Sequence, residues 1–241
     1  MEYLQYLCVA LAAFGGAFVQ RTSGFGFGIF VMLFFPYLMP HASGAAVSCL
    51  LSCGTTAYNS YANRKDLQLK LALPLMISAA IVIPAAVFFS AYAPARILKI
   101  LLGSVLILFS LYFLFLGDRV RLRPSVANGL IFGALGGALG GLFSTGGPPA
   151  VLYLVHATDK KQVYFATIQT YFLITGIYAT VIRLFSGVID GQVLLFVLFG
   201  SVGSALGNFL GGKIFRRLNE KKLRFIIYIG MIVSGILMLL D

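Results

Sequence analysis

The chain has no tryptophan, only seven acidic residues and only three cysteines in 241 positions. Each scarcity excludes something. Charged residues make up 10% of the chain, against about a quarter in a soluble domain, so this chain cannot clothe a water-facing surface. The acids Glu2, Asp66, Asp118, Asp159, Asp190, Glu220 and Asp241 all fall at the termini or between apolar runs. A buried carboxylate proton relay of the usual form is thereby excluded. Cys8, Cys49 and Cys53 lie inside apolar runs, with no disulfide framework and too few ligands for a metal site. No nucleophile–base set and no phosphate-binding cassette is present, so neither an enzyme nor a cofactor is expected.

Apolar sequence is what remains. Hydrophobic residues are 60% of the chain, the mean hydropathy is +0.96, and apolar runs of about 17–25 residues recur throughout. The pattern predicts an all-α, polytopic helical membrane protein embedded in the lipid bilayer; the alternation of a β-barrel is missing. The net charge of +11 sits in short loops between apolar runs. That is the positive-inside bias of membrane insertion and not a nucleic-acid surface. The first run lacks the basic start and cleavage site of a signal peptide and is read as a retained membrane segment.

Two glycine-rich stretches interrupt these runs: Gln20-Arg21-Thr22-Ser23-Gly24-Phe25-Gly26-Phe27-Gly28 and Gly141-Leu142-Phe143-Ser144-Thr145-Gly146-Gly147-Pro148-Pro149. They align with each other, since one offset places Gly15-Gly16-Ala17 on Gly136-Gly137-Ala138 and Ser23 on Ser144. Each break is followed by a short apolar piece and then by three runs of spanning length. The chain therefore divides into a first membrane repeat (1–116), a cytoplasmic linker (117–125) and a second repeat (126–241).

Charge counting sets the topology. If each break dips in and returns as a re-entrant hairpin, one face receives fourteen basic residues: Arg64, Lys65, Lys70, Arg119, Arg121, Arg123, Lys160, Lys161, Lys213, Arg216, Arg217, Lys221, Lys222 and Arg224. The other face receives only Arg96, Lys99 and Arg183, with Arg21 left at the break. Single crossings instead would nearly erase the bias, so the hairpins are preferred. Three crossings per half then make the halves inverted repeats, with both termini periplasmic and both hairpin tips near the midplane. Broken helices at matching positions of inverted halves point to a transporter's binding site.

The chemistry of the breaks points to an anion. Glycines let backbone approach a ligand, and a helix starting at each tip aims N–H groups inward. Pro148-Pro149 suits the first turn of the second short helix. Thr22, Ser23, Ser144 and Thr145 add hydroxyls, and Arg21 adds a permanent charge and a planar fork of donors. The expected substrate-binding set is Arg21, Thr22, Ser23, Gly24, Gly26, Gly28, Ser144, Thr145, Gly146 and Gly147, with Gln169 and Thr170 lining the path. Arg21 has an alternative reading, snorkelling to an interface. His41 and His156 follow the short pieces and are expected at an interface, and Asn59 as a helix cap. The spacing of Gly203, Gly207 and Gly211 indicates close helix packing.

Thr22-Ser23-Gly24-Phe25-Gly26-Phe27-Gly28 with Pro36, and Thr145-Gly146-Gly147-Pro148-Pro149-Ala150-Val151-Leu152-Tyr153-Leu154, resemble the paired motifs of the TauE/SafE sulfite exporter family. The resemblance covers the whole chain. It implies a bacterial inner-membrane transporter of a small organic or sulfur-containing anion: sulfite, sulfoacetate or a related sulfonate or carboxylate. Alternating access between the tips is expected; a passive anion channel and a non-transporting scaffold are the alternatives, and a homodimer is left open.

Overall fold

Every regular element is helical in the computed structural model, which describes residues 2–115, 124–214 and 220–240. Most of the expected linker, with Arg119, Arg121 and Arg123, lies outside the described residues, as do Arg216 and Arg217. The helices are α1 (Glu2–Ser23), α2 (Phe27–Val31), α3 (Phe35–Leu38), α4 (His41–Ala62), α5 (Leu69–Tyr92), α6 (Ala95–Phe115), α7 (Val126–Phe143), α8 (Gly147–Ala157), α9 (Lys161–Phe185), α10 (Gly191–Ile214) and α11 (Glu220–Leu240). Six of these (α1, α5, α6, α7, α9 and α10) are long and apolar enough to cross a membrane. Large apolar side chains such as Leu198, Val202 and Leu206 face outward, where lipid rather than water must meet them. The protein is a polytopic helical membrane protein.

The first break is shorter than the glycine run implies. α1 continues through Gln20, Arg21 and Thr22 and stops only where Gly24 and Gly26 take left-handed backbone, at φ 85° and 99°. Its 22 residues measure about 33 Å, a full hydrocarbon thickness. The chain then returns as two short helices instead of one, with Pro36 in the first turn of α3. The second break follows the expected outline. α7 ends at Ser144, the one non-glycine with positive φ (58°) among the described residues, and α8 opens with Pro148 and Pro149 in its first turn.

Glycine seams bring distant helices into register. On α10, Gly203 and Gly207 lie against the carbonyls of Ala10 and Phe14, and Gly211 against Phe18 and Arg21. α1 and α10 thus run side by side in the same direction, with the close packing that the four-residue spacing predicts. On α7, Gly129 meets Pro74, Gly133 meets Leu75, Gly137 meets Ala79 and Gly141 meets Ala86, so α7 and α5 are also parallel. A Cβ at Gly203 would fall 1.9 Å from the Ala10 oxygen, so any larger residue would prise the seam apart.

Two other pairs run antiparallel. Cys49 of α4 meets Gly176 and Thr180 of α9, while Ser60 meets Thr170. Gly103 of α6 meets Gly235 of α11, while Ser110 bonds the Tyr228 carbonyl. α5 packs on α9, and α10 on α4. Each of these pairs joins a helix that precedes residues 117–125 to one that follows them, so the long helices of the two stretches interleave.

Candidate functional site

Near the middles of α4 and α9, the two breaks meet around a cavity of about 60 Å³. The first break contributes Gln20, Gly26, Phe27, Gly28 and Ile29; the second contributes Ser144, Thr145, Gly146 and Gly147. Gly136 and Gly140 of α7, Cys49 and Ser52 of α4, and Tyr171, Thr175 and Gly176 of α9 complete its wall. The volume holds a few water molecules, the scale of a small oxyanion and not of an extended solute.

Close backbone contact makes the meeting possible. A Cβ on Gly28 would stand 1.8 Å from the Ser144 carbonyl oxygen, and one on Gly146 would stand 2.3 Å from the Gly136 oxygen. Glycine is required at both places because backbone, not a movable side chain, occupies the space.

The expected site residues separate into two groups. Gly26, Gly28, Ser144, Thr145, Gly146 and Gly147 line the cavity. Arg21, Thr22, Ser23, Gly24, Gln169 and Thr170 do not. Thr22 Oγ1 donates back to the carbonyls of Phe18 and Val19, and Ser23 Oγ to those of Val19 and Phe25. Gln169 Nε2 donates to the Gly24 carbonyl at 2.7 Å, pinning the first tip. Thr170 Oγ1 bonds Ser60 Oγ and the Ala166 carbonyl. Arg21 donates to Asn59 Oδ1 at 2.5 Å and lies over the rings of Tyr58 and Phe165. Asn59 therefore holds an arginine where a helix cap was expected.

The second tip is chemically different. Thr145 Oγ1 is buried at the cavity and has no hydrogen-bond partner. Behind Gly140, Arg183 is 2% exposed and donates from Nη2 to the carbonyls of Gly140 and Gly141, at 3.1 and 2.8 Å. Its Nη1 is buried without a partner. Charge counting assigned Arg183 to a membrane face; the fold instead buries it beside the second tip. His41 also departs from the interfacial reading: it is buried, edge-on to Phe143. Asp66, Asp159 and Asp190 are in loops or short turns outside the spans, so the buried cation has no carboxylate beside it among the described residues.

Sequence reasoning also missed Gln20, Cys49, Ser52, Thr175 and Gly176. Gln20 had one available signal, its place one residue before Arg21 at the end of an apolar run. Cys49 had a weaker one, its four-residue spacing from Cys53, which stacks both thiols along the face that Gly176 meets. No metal-binding cluster of His, Cys, Asp and Glu exists among the described residues.

A cavity walled by two broken helices, with a buried cation nearby that has no carboxylate beside it among the described residues, is the arrangement expected of a carrier for a small solute. No curated protein and no solved structure matches the chain. A family model described as sulfite exporter TauE/SafE matches residues 8–238, nearly its full length, and the chain belongs to this family of membrane exporters.

Proposed function

We propose that the protein is an inner-membrane secondary transporter of a small organic or sulfur-containing anion, such as sulfite, sulfoacetate or a related sulfonate or carboxylate. The observation that carries this reading is the single cavity shared by both tips, with the unpartnered hydroxyl of Thr145 on its wall and Arg183 buried behind it. A buried guanidinium without a carboxylate is costly unless an anion visits it. Ser144, Thr145 and the backbone at Gly26–Gly28 and Gly146–Gly147 are the ligands we assign. The small cavity favours a compact oxyanion head, and a longer substrate requires the tips to part.

Alternating access follows if the two halves are inverted repeats. The antiparallel pairing of α4 with α9 and of α6 with α11 supports that reading, because corresponding helices of halves with the same orientation would run parallel. Removing the buried Arg183 from the charge count leaves only Arg96 and Lys99 on the poorer face, which strengthens the bias. The face with Arg64, Lys65, Lys160 and Lys161 is then cytoplasmic, and both termini are periplasmic.

Proteoliposome flux tests the proposal. Uptake of labelled sulfite or a sulfonate is expected to saturate and to accelerate when the lumen holds unlabelled anion. Linear flux without counter-substrate stimulation would indicate a pore, and no flux with any anion would remove transport altogether. A bound anion also stabilises the purified protein, by about 2.7 kcal/mol at a hundredfold excess over Kd, so a thermal-shift panel ranks the substrates.

A further inference from the structure

A second, far larger cavity of about 640 Å³ lies between α1, α4 and α10. Its lining is unusual for a crevice among membrane helices: Arg21, Thr55, Ser201, Ser204, Asn208 and Lys213 stand among apolar walls, and no carboxylate lines it among the described residues. Polar side chains at membrane depth face protein or water and not hydrocarbon. Both cations sit toward one end, on the last turns of α1 and α10. The Lys213 ammonium lies 4.3 Å from the centre of the Phe209 ring. Beyond them a third cavity, about 220 Å³, is lined by Asn63 after α4 and by Lys161 and Gln162 at the start of α9, and Arg21 lines both spaces.

One hydrogen bond links the wall of the large cavity to the wall of the central one. Thr55 lines the large cavity, Gln20 lines the central one, and Thr55 Oγ1 donates to Gln20 Oε1 at 2.9 Å. Arg21 thus borders two adjoining spaces, and the Thr55–Gln20 pair ties the larger of them to the wall of the central cavity.

We propose that the cavity between α1, α4 and α10 is the aqueous vestibule of the anion path, entered past Arg21 and Lys213 and closed by the Thr55–Gln20 pair. The assignment rests on the transport reading above and extends it with a route, a gate and a role for Arg21. Arg21 and Lys213 draw small anions in by long-range attraction. Arg21 is held open to the vestibule because Asn59, and not an acid, is its partner. Parting Thr55 from Gln20 joins the vestibule to the central cavity.

Thiol labelling tests the route without relying on flux. In a protein with Cys8, Cys49 and Cys53 replaced by serine, Ser204→Cys is treated with a membrane-impermeant anionic thiosulfonate and with its cationic analogue. Inverted vesicles expose the basic face. The anionic reagent is expected to react at least several-fold faster, and Arg21→Gln with Lys213→Gln is expected to erase that preference. Reaction with uncharged N-ethylmaleimide alone would place lipid in the cavity and overturn the vestibule.

The gate is tested with Cys49 as the sole thiol, since it lines the central cavity. Labelling of Cys49 from the basic face is expected to be slow, and to rise about tenfold when Thr55→Val removes the hydrogen bond. Gln20→Leu, breaking the same bond from the other side, is expected to match it. Unchanged rates in both variants would overturn the gate. Absence of anion flux in the wild type would sink the transport reading alone, because both labelling arms report access and not turnover.

Discussion

The two tips start from matching sequence and end in opposite chemical states. At the first, the hydroxyls are already engaged: Thr22 and Ser23 bond the carbonyls of their own turn, and one guanidinium nitrogen of Arg21 donates to Asn59. At the second, Thr145 Oγ1 and Arg183 Nη1 are buried and unpartnered. A buried donor without a partner costs about 1–3 kcal/mol, so the second tip retains capacity for a ligand that the first has lost. The first tip contributes close-approaching backbone, and the second contributes donors. Four sets of substitutions break or sharpen this contrast.

The largest effect is expected where the tips touch. Gly28→Ala puts a methyl group 1.8 Å from the Ser144 oxygen, and neither backbone can yield without moving its tip. Destabilisation at or above the ~3 kcal/mol typical of severe overpacking is expected. Gly54→Ala on α4 is the control, because a Cβ there meets nothing within 4 Å. Thermal unfolding in detergent measures both. Equal melting temperatures would mean that the tips do not need each other.

Next comes the exchange of roles between the arginines. Arg183→Gln is too short to reach the carbonyls of Gly140 and Gly141 that Nη2 holds, and a loss of about 2–4 kcal/mol is expected, with flux abolished. Arg183→Lys should restore little, because the ammonium ends short of the Nη2 position and lacks the second nitrogen that is buried without a partner. Arg21→Gln, at the wall of a wide cavity, should fold normally and raise KM several-fold with kcat nearly kept. A larger stability loss for Arg21→Gln than for Arg183→Gln would invert the comparison.

This reversal also shows what the sequence could disclose. The breaks themselves were legible, since clustered glycines and Pro148-Pro149 are local signals that no uninterrupted membrane helix carries. The seam of Gly203, Gly207 and Gly211 was legible for the same reason. The facing of individual side chains was not. α1 stays helical through Gln20 and Arg21, so one residue turns the direction by about 100°. Gln20 consequently points to the central cavity and Arg21 to the vestibule. Arg183 was hidden by distance, because its partners lie 42 and 43 residues away on another helix. Read from its own segment, it looked like one more loop charge.

A smaller contrast is expected between two threonines. Thr145→Val removes a hydroxyl that has no partner in the folded protein, so stability should hold or rise slightly, while anion affinity falls about tenfold, equivalent to ~1.4 kcal/mol. Thr22→Val removes a hydroxyl engaged with its own helix. Both stability and affinity should then stay within about 0.5 kcal/mol of wild type. Thermal shift across an anion titration reads the two quantities together. An affinity loss in Thr22→Val equal to that in Thr145→Val would mean that the first tip also opens during binding.

The smallest effect separates backbone from side chain at a single residue. Ser144 holds φ 58° and ψ 24°, a left-handed conformation that disfavours a side chain. Ser144→Gly should relieve that strain and raise stability by about 0.5–1 kcal/mol, net of the added freedom of the unfolded chain. Ser144→Ala keeps the Cβ and the strain, so no gain is expected. Both variants lose the same hydroxyl from the cavity, and if that oxygen serves the anion they should weaken its binding equally. A stability gain in glycine alone, with matched affinity losses in both, would assign the left-handed turn to the meeting with Gly28 and the hydroxyl to the ligand. Retained affinity in both variants would leave Thr145 as the side-chain donor of the second tip.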